Sequence, residues 1–196
     1  MNLDKGALGV KEQIQLITRI LGNIPSAEFT IGSGKGVMWR RSVLARFLLE
    51  EAKLNDGVFV DQSGQGIILF FRSDDKKSLG WIGMIRLALF GIGPFRIFRV
   101  LKRKRQVERM RSQFPPHIYC SFLGVIPEAR GTHAVVELRD ILFHKSAEWQ
   151  LPIMVETVII KNKIVYERMG FQTYGQFEID GMITYCMIRP VNQSVS

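Results

Sequence analysis

The chain has 196 residues, of which 46% are hydrophobic and 23% are charged. This composition is that of a folded protein with room for one sizeable core, and it excludes an intrinsically disordered chain. The formal net charge is +9, from 27 basic and 18 acidic residues, and most of it comes from one segment in the middle of the chain.

Signals for export, disulfides and metal are not evident in the sequence. Residues 1–6 carry acidic and basic side chains and no apolar run, so we expect no secretory signal. Cys120 and Cys186 each lie in an apolar, strand-like run, which favours two buried free thiols in a reducing cytoplasm over a disulfide. Because no cysteines and histidines have zinc-ligand spacing, we expect no metal site.

The first half of the chain predicts two helices followed by a hairpin. Apolar residues at helical spacing predict a helix over residues 11–22, which we expect Pro25 to end. A second helix is predicted over residues 38–54. The runs 58–61 and 66–72 are apolar and strand-like, with a short polar turn between them, so they predict a β-hairpin.

The glycine-rich segment 31–36, IGSGKG, superficially resembles a phosphate-binding loop. The Walker pattern anchored on Gly34 and Lys35 requires glycine at position 29 and Ser or Thr at position 36, but the chain has Phe29 and Gly36. We therefore interpret this segment as a loop before the second helix, near the substrate entrance.

Residues 79–113 join an apolar run to a strongly basic one. The apolar part is interrupted by Arg86, and the pattern predicts two helices hinged near Gly93 and Pro94. Residues 95–114 contain eight basic residues and one acidic residue, so +7 of the chain's +9 lies there. The apolar run of 17 residues is shorter than the roughly 20 needed to span a bilayer, so no transmembrane helix is expected.

The basic segment has three interpretations. In the first, the segment binds anionic lipid together with the apolar run before it. In the second, it binds nucleic acid. In the third, it is a solvated helix face that attracts an anionic cofactor. No base-reading motif or stacking pattern supports nucleic acid, so we expect no nucleic-acid partner. The solvated face is the interpretation we favour, and peripheral membrane contact is the less favoured alternative.

After residue 115 the pattern changes to alternating strands and helices. We predict a strand at 117–125 that is buried on both faces, a helix at 131–148 and a strand at 153–159. This order predicts a pair of parallel strands in the sheet. In the loop 125–137, the start of the helix offers free amides to a phosphate group, although ordinary strand-to-helix turns look the same.

A short helix and a hairpin complete the predicted elements. We expect Asn162 to cap a helix that Gly170 ends. The dipeptide Asp180-Gly181 lies between two apolar runs and predicts a tight β-hairpin over residues 171–190.

Two stretches carry a family resemblance. Residues 155–171 contain a strand ending in Glu-Thr, then Asn, then Tyr four residues later, then Glu-Arg-x-Gly-Phe. The matching residues are Asn162, Tyr166, Glu167, Arg168, Gly170 and Phe171. Residues 117–131 add matches at Val125, Pro127, Arg130 and Gly131. With the ending MIRP at 187–190, these patterns resemble the GNAT superfamily of N-acetyltransferases over about residues 115–190.

The resemblance implies a fold class, an α/β (α+β), three-layer, GNAT-like acyl-CoA N-acyltransferase fold. Its sheet is mixed and mostly antiparallel, with splayed parallel central strands. We expect one domain over residues 1–196, with N-terminal helices and a hairpin at 1–73, a helical basic insertion at 74–114 and an acyl-CoA-binding core at 115–190. The implied activity is direct transfer of acetyl from acetyl-CoA to a primary amine on a small molecule or peptide, in the cytoplasm and without a metal.

The resemblance also implies roles for particular residues. Backbone groups of Leu123 and Val125 would bond the pantetheine arm as an added β-strand does, and Asn162 would contact the same arm. Tyr166 would protonate the leaving thiolate. The amides expected to hold the pyrophosphate of the cofactor belong to Arg130, Gly131, Thr132, His133, Ala134 and Val135.

This chain departs from the family pattern at His133 and Val135, where the family has small residues. Glycine at these positions lets phosphate approach the backbone closely. Val135 would narrow the pyrophosphate site, and His133 would either obstruct it or donate a hydrogen bond to phosphate. A rival hypothesis is therefore a catalytically silent GNAT-fold binding module, which uses the basic helix 95–113 to hold an anionic membrane or an acidic partner. The general base stays open among His117, Glu156 and a carboxylate acting through water.

Overall fold

The computed structural model describes residues 8–92 and 94–191, which contain seven α-helices and six β-strands. The helices are α1 (Val10–Leu21), α2 (Pro25–Ile31), α3 (Val37–Leu54), α4 (Gly80–Arg86), α5 (Pro94–Arg111), α6 (His133–Trp149) and α7 (Ile160–Arg168). The strands are β1 (Val58–Val60), β2 (Gly66–Arg72), β3 (Ile118–Val125), β4 (Ile153–Thr157), β5 (Gln172–Ile179) and β6 (Met182–Arg189).

The six strands form one mixed sheet in the order β1-β2-β3-β4-β6-β5. β3 and β4 run parallel, and the other neighbouring strands of the described chain are antiparallel. This arrangement confirms the predicted mixed, mostly antiparallel sheet with a parallel central pair. The Asp180-Gly181 hairpin is also confirmed, since both residues have the positive φ angles, 52° and 77°, that the tightest hairpin turns require.

Helices cover the sheet on both faces and give the predicted three layers. Gly124 of β3 faces α1, where a side chain at position 124 would meet Ile20 at 2.5 Å. Gly66 of β2 and its partner Val125 face the opposite layer, because a side chain at position 66 would meet Leu138 of α6. Two layers of helices therefore bury a continuous core around the sheet.

The strand buried on both faces is β2, not the strand predicted at 117–125. Ile67, Ile68, Leu69 and Phe70 are fully buried. In β3, by contrast, buried residues alternate with half-buried ones. The prediction was wrong because apolar side chains of β3 line cavities. A cavity wall is as apolar in sequence as a core, although its side chains are not packed on every side.

The segment between β2 and β3 is helical throughout most of its length. α4 continues directly into a π-helical turn at Leu87–Ile92, and α5 follows. Gly93, the expected hinge, lies outside the described residues. α5 packs on the rest of the chain through Arg99, whose guanidinium lies over the ring of Phe29 and forms an ion pair with Asp180. In the described part of the chain, no helix is long and apolar enough to cross a membrane.

Two local predictions about helix ends were wrong. Pro25 does not end the first helix but begins α2, because proline fits the first turn, where its missing N–H is not needed. α7 begins at Ile160 with Ile159 as its N-cap, so Asn162 lies inside the helix and is not its cap.

Candidate active site

A β-bulge in β3 lies where this strand begins to diverge from its parallel neighbour β4. The register of β2 and β3 shifts between Leu69 and Phe70, which leaves Ser121 as the extra residue, and its hydroxyl donates to the Leu69 carbonyl at 3.1 Å. Within the described strands, β3 and β4 then pair only at Ile118 and Tyr119. Since a bulge bends the strand that contains it, β3 and β4 diverge beyond this point and open a gap in the sheet.

The gap exposes one backbone edge of β3. The N–H of Ile126 donates to the Gln65 carbonyl at 2.9 Å, which places that group on the side of β2. Since backbone groups alternate in direction along a strand, those of Val125 and Leu123 point to the opposite side, into the gap. This edge offers the hydrogen-bonding groups that an added strand uses.

A cavity of about 490 Å³, here called the large cavity, fills this gap. Of the residues predicted to bind the cofactor, Leu123, Val125, Arg130, Val135 and Asn162 line it, together with Tyr166. Gly131, Thr132, His133 and Ala134 are not among its lining residues. The structure therefore brings six of the ten predicted site residues around one space.

The remaining four form the start of α6 at the rim of the large cavity. Gly131 has φ of 78°, which favours glycine, and turns the chain into the helix. Thr132 is the N-cap, and its hydroxyl oxygen accepts a weak bond from the Ala134 amide at 3.4 Å. His133 is exposed, and Ala134 is buried. The departure that matters for the cavity is thus Val135, because His133 is exposed and does not line the cavity.

Three basic side chains also line the large cavity. Arg130, Arg139 and Lys161 line it, and Arg139 is also paired with Asp140 at 2.7 Å. A helix N-terminus beside cationic side chains is a favourable environment for phosphate groups.

The family-like sequence after Tyr166 builds the end of α7. Gly170 has φ of 86°, and the Phe171 amide donates to the Tyr166 carbonyl at 3.0 Å, which closes the helix. Phe171 is buried and its ring centroid lies 5.4 Å from that of Tyr166. This capping fixes Tyr166 half-buried in the cavity wall. Burial raises the pKa of Tyr166 above its ordinary value, so its hydroxyl stays protonated at neutral pH.

A smaller linking cavity of about 240 Å³ passes through the gap to the other face of the sheet. Cys120, Leu123, Asn162 and Tyr166 line both the large and the linking cavity. Glu156 of β4 lines the linking cavity too. The two parts of the site therefore meet where Tyr166 and Glu156 border one space.

A third cavity of about 320 Å³, here called the insertion cavity, lies beneath α5 and the π-helical turn. Apolar residues of α3, the π-helical turn and α5 form much of its wall, among them Phe47, Leu87, Ile97 and Val107. It shares Cys120, Ser121, Arg103 and Glu156 with the linking cavity. The three cavities thus follow one another through the sheet.

Glu156 is the buried carboxylate at this junction. Its side chain is 6% exposed, and its Oε1 lies 3.7 Å from the Arg111 Nε, beyond hydrogen-bond distance. Among the described residues no group donates a hydrogen bond to that oxygen. Burial raises the pKa of Glu156, although the charge of Arg111, the hydroxyl of Tyr119 and the charge of Arg103 oppose the shift. A raised pKa makes this carboxylate a stronger proton acceptor than an exposed one.

Of the other base candidates, His117 lies apart from the three cavities. Its Nδ1 lies 3.0 Å from the Pro115 carbonyl, and its backbone N–H donates to the Ser73 hydroxyl at 2.9 Å. Its ring is buried, not at the surface as a residue at a strand start usually is, and burial lowers its pKa. The geometry favours Glu156 over His117.

Sequence reasoning missed Arg103, Arg111 and Ser121 as site residues. A spacing of four residues places Arg103 and Arg111 on one face of α5 with Val107, and this spacing is present in the sequence. Ser121 gave no signal, because a bulge depends on the partner strand. In the described ranges, no three histidine, cysteine or acidic residues are grouped so as to hold a metal ion.

Comparisons with known proteins give structural matches only. No family model matches the chain, and no curated protein matches its sequence. A histone acetyltransferase HPA2-related acetyltransferase of Corynebacterium glutamicum superposes with a TM-score of 0.66 at 18% identity, over 97% of both chains. Arylalkylamine N-acetyltransferase 2 of Aedes aegypti gives 0.63 at 13% identity, over 93% of this chain and 94% of that one. An agmatine N-acetyltransferase gives 0.55 at 15% identity, over 93% and 96%.

Proposed function

Since this chain has the fold of the GNAT acetyltransferases, we propose that it is an acetyl-CoA-dependent N-acetyltransferase acting on a primary amine. The observation that supports this most is the continuity of the three cavities through the gap between β3 and β4. A donor on one face of the sheet and an acceptor on the other would meet beside Tyr166 and Glu156. Solved structures with this fold include an arylalkylamine and an agmatine acetyltransferase, which supports a small-molecule amine.

The large cavity would hold the donor. The backbone of Leu123 and Val125 would bond the pantetheine arm, with Asn162 beside it. The start of α6, from Arg130 to Val135, would hold the pyrophosphate, assisted by Lys161. Acetyl-CoA supplies a thioester, whose carbonyl carbon accepts the attacking amine.

Glu156 and Tyr166 would manage the protons of the transfer. As the amine nitrogen bonds to the acetyl carbon and the carbon–sulfur bond breaks, the carboxylate of Glu156 takes the proton that leaves nitrogen, directly or through a water. The hydroxyl of Tyr166 gives its proton to sulfur. Burial raises the pKa of Cys120 to about 12, so this thiol stays neutral and is a poor nucleophile. Direct attack is therefore the mechanism we propose.

The proposed domain organisation follows from these roles. Residues 115–190 form the acyl-CoA-binding core, residues 1–73 supply the covering helices and the hairpin, and the insertion 74–114 covers the acceptor side of one domain spanning 1–196. We place the activity in the cytoplasm, where the buried thiols of Cys120 and Cys186 would stay reduced.

The test is release of CoA from acetyl-CoA by the purified protein with a panel of primary amines. The proposal predicts amine-dependent release of CoA and an acetylated amine identified by mass spectrometry. Failure of every amine, together with failure of acetyl-CoA to bind, would overturn it. CoA release without any acetylated amine would mark a thioesterase instead.

A second candidate function is a binding module for anionic membranes, and the outer face of α5 favours it. Phe98 is 76% exposed, and Lys102, Arg105 and Arg109 follow it on the same exposed face. Sedimentation with anionic and with neutral vesicles tests this candidate. Binding to anionic vesicles alone, abolished when Lys102 to Arg105 are changed to alanine, would support it, whereas binding to neither would reject it.

A further inference from the structure

The insertion cavity contains an unbalanced set of buried charges. Its outer acidic and basic side chains are paired, Glu51 with Lys76 at 3.1 Å and Glu108 with Lys104 at 3.9 Å. Deeper in the cavity, Arg103 and Arg111 lie near a single carboxylate, that of Glu156. The cavity therefore holds one cation more than the protein balances.

Arg111 is the partner of Glu156, which makes Arg103 the uncompensated charge. The guanidinium of Arg111 lies over the Tyr119 ring at 3.7 Å and faces the carboxylate at 3.7 Å. The charge of Arg103 also acts on Glu156, but no group among the described residues accepts a hydrogen bond from Arg103, and its Nε is buried. A buried donor without an acceptor is costly, which points to an acceptor that arrives with a ligand.

Arg103 is half-buried and lies on the cavity side of α5. It lies on the same side of α5 as Val100 and Val107, three and four residues away, and Val107 is buried. It lines both the insertion cavity and the linking cavity. An anion bound to Arg103 would thus lie close to the place where the amine reacts.

The rest of the cavity wall specifies the body of the ligand. Aromatic and aliphatic side chains, including Phe47, Phe71, Leu87 and Val100, surround the space. Such a wall favours an apolar aryl or alkyl group, and Glu156 and Arg103 are two of the polar side chains that such a ligand would meet.

We infer that the acceptor is an amine that also carries a carboxylate, on an apolar body. Its amine would lie at Glu156, and its carboxylate would accept hydrogen bonds from the guanidinium of Arg103. This inference rests on the proposed function and names the class of its acceptor, that of amino-acid-like substrates. An amine without an anionic group would leave Arg103 unpaired and bind less well.

Matched amine pairs that differ only in the carboxylate test the inference. The pairs are phenylalanine with phenethylamine, leucine with 3-methylbutylamine, and 6-aminohexanoate with pentylamine. CoA release is measured for each at equal concentration of the neutral amine. For at least one pair we expect kcat/KM to favour the carboxylate member by roughly 10- to 100-fold, the effect of a hydrogen bond to a charged group. Equal values, or preference for the plain amine in every pair, would overturn the inference.

Arg103→Gln is the diagnostic variant, and Arg46→Gln, at an exposed position of α3 outside the three cavities, is its control. Arg103→Gln should lower kcat/KM for the carboxylate member by roughly 10- to 100-fold and leave the plain amine nearly unchanged, while the control changes neither. An equal loss for both members, or a loss of acetyl-CoA affinity, would show that Arg103 serves Glu156 or the donor and would overturn the inference.

A binding experiment separates this inference from the proposed function. Thermal stabilisation of the wild-type protein is measured with N-acetylphenylalanine and with N-phenethylacetamide. Stronger stabilisation by the carboxylate compound supports the inference even if no turnover occurs, and the reverse order contradicts it. This binding measurement uses only the wild-type protein, so it tests the inference even if Arg103→Gln does not fold.

Discussion

The large cavity and the insertion cavity lie on opposite sides of the same gap, and they are built in different ways. The large cavity is lined mostly by residues 120–171, together with Ile20, Asn23 and Ile24, and its proposed polar contacts include backbone groups of β3 and the start of α6. The insertion cavity is assembled from side chains of α3, α5 and the sheet, which are far apart in the sequence. Backbone groups of a site are positioned by glycines, helix caps and a bulge at fixed spacings in the sequence. Side chains from distant parts of the chain are brought together only by the topology of the fold.

The two cavities also differ in how far their charged side chains are exposed to solvent. In the large cavity, basic side chains such as Arg130 and Lys161 are exposed, and they suit phosphate groups at the surface. In the insertion cavity, Glu156 and Arg111 are 6% and 15% exposed. Electrostatic effects are stronger there, because water screens them less. Substitutions on the acceptor side should therefore change turnover more than substitutions on the donor side change affinity.

The largest effect is expected for Glu156→Gln. Replacing the carboxylate removes the proton acceptor while keeping the shape of the side chain, so kcat/KM should fall by about 10³-fold. Calorimetry should show that affinity for acetyl-CoA is unchanged. Glu178→Gln, at an exposed position of β5 outside the three cavities, is the matched control. Activity of Glu156→Gln within a few-fold of wild type would reassign the base.

A smaller loss is expected for Tyr166→Phe. Without the hydroxyl, nothing on α7 protonates sulfur, so kcat should fall by roughly 10²-fold at unchanged acetyl-CoA affinity. Steady-state kinetics beside calorimetric titration measures both quantities. Tyr185→Phe, outside the three cavities, should behave as wild type. Unchanged turnover in Tyr166→Phe would reject the acid role.

The pH dependence should report the environment of Glu156. Since burial raises its pKa and the base must be ionised, kcat/KM calculated for the neutral amine should rise with pH through that pKa and fall about tenfold per unit below it. Arg111→Met removes a charge that favours the ionised form, so the acid limb should move to higher pH. A limb that stays in place in this variant would show that another group is titrating.

The smallest effects should come from the two departures on the donor side. Val135 lines the large cavity, so Val135→Ala should widen the phosphate end and tighten acetyl-CoA binding by about threefold, roughly 0.6 kcal/mol. His133 is exposed, so His133→Ala should change affinity less than about twofold. Calorimetric titration measures both. A large loss of affinity in His133→Ala would show that the imidazole holds phosphate.

Much of the second half of the fold was predictable from the sequence because its signals are local. Asp180-Gly181 requires the positive φ angles of a tight hairpin, and Gly170 requires those of a helix end. The apolar run of β3 predicts burial on both faces, whereas the structure gives this burial to β2. An apolar run has the same sequence pattern whether it packs in a core or lines a cavity. The position of Asn162 inside α7 depended on where the preceding strand ends, which local propensity does not determine.

The candidate site was predictable on the donor side only. Leu123, Asn162 and Tyr166 belong to a motif and do line one cavity, while their roles in binding and catalysis stay predictions. On the acceptor side, Arg103 and Arg111 belong to a run of eight basic residues that the sequence presents as one charged face. The helix turns these two inward, and only the packing of α5 on the sheet separates them from the exposed six.

Calorimetric titration of the purified protein with acetyl-CoA, with CoA as a second ligand, tests the central claim most directly. We expect one site per chain with a dissociation constant on the order of micromolar, and we expect Glu156→Gln to retain it. No heat of binding at millimolar acetyl-CoA would mean that the fold has been kept without its donor site, and it would contradict the proposed acetyl transfer.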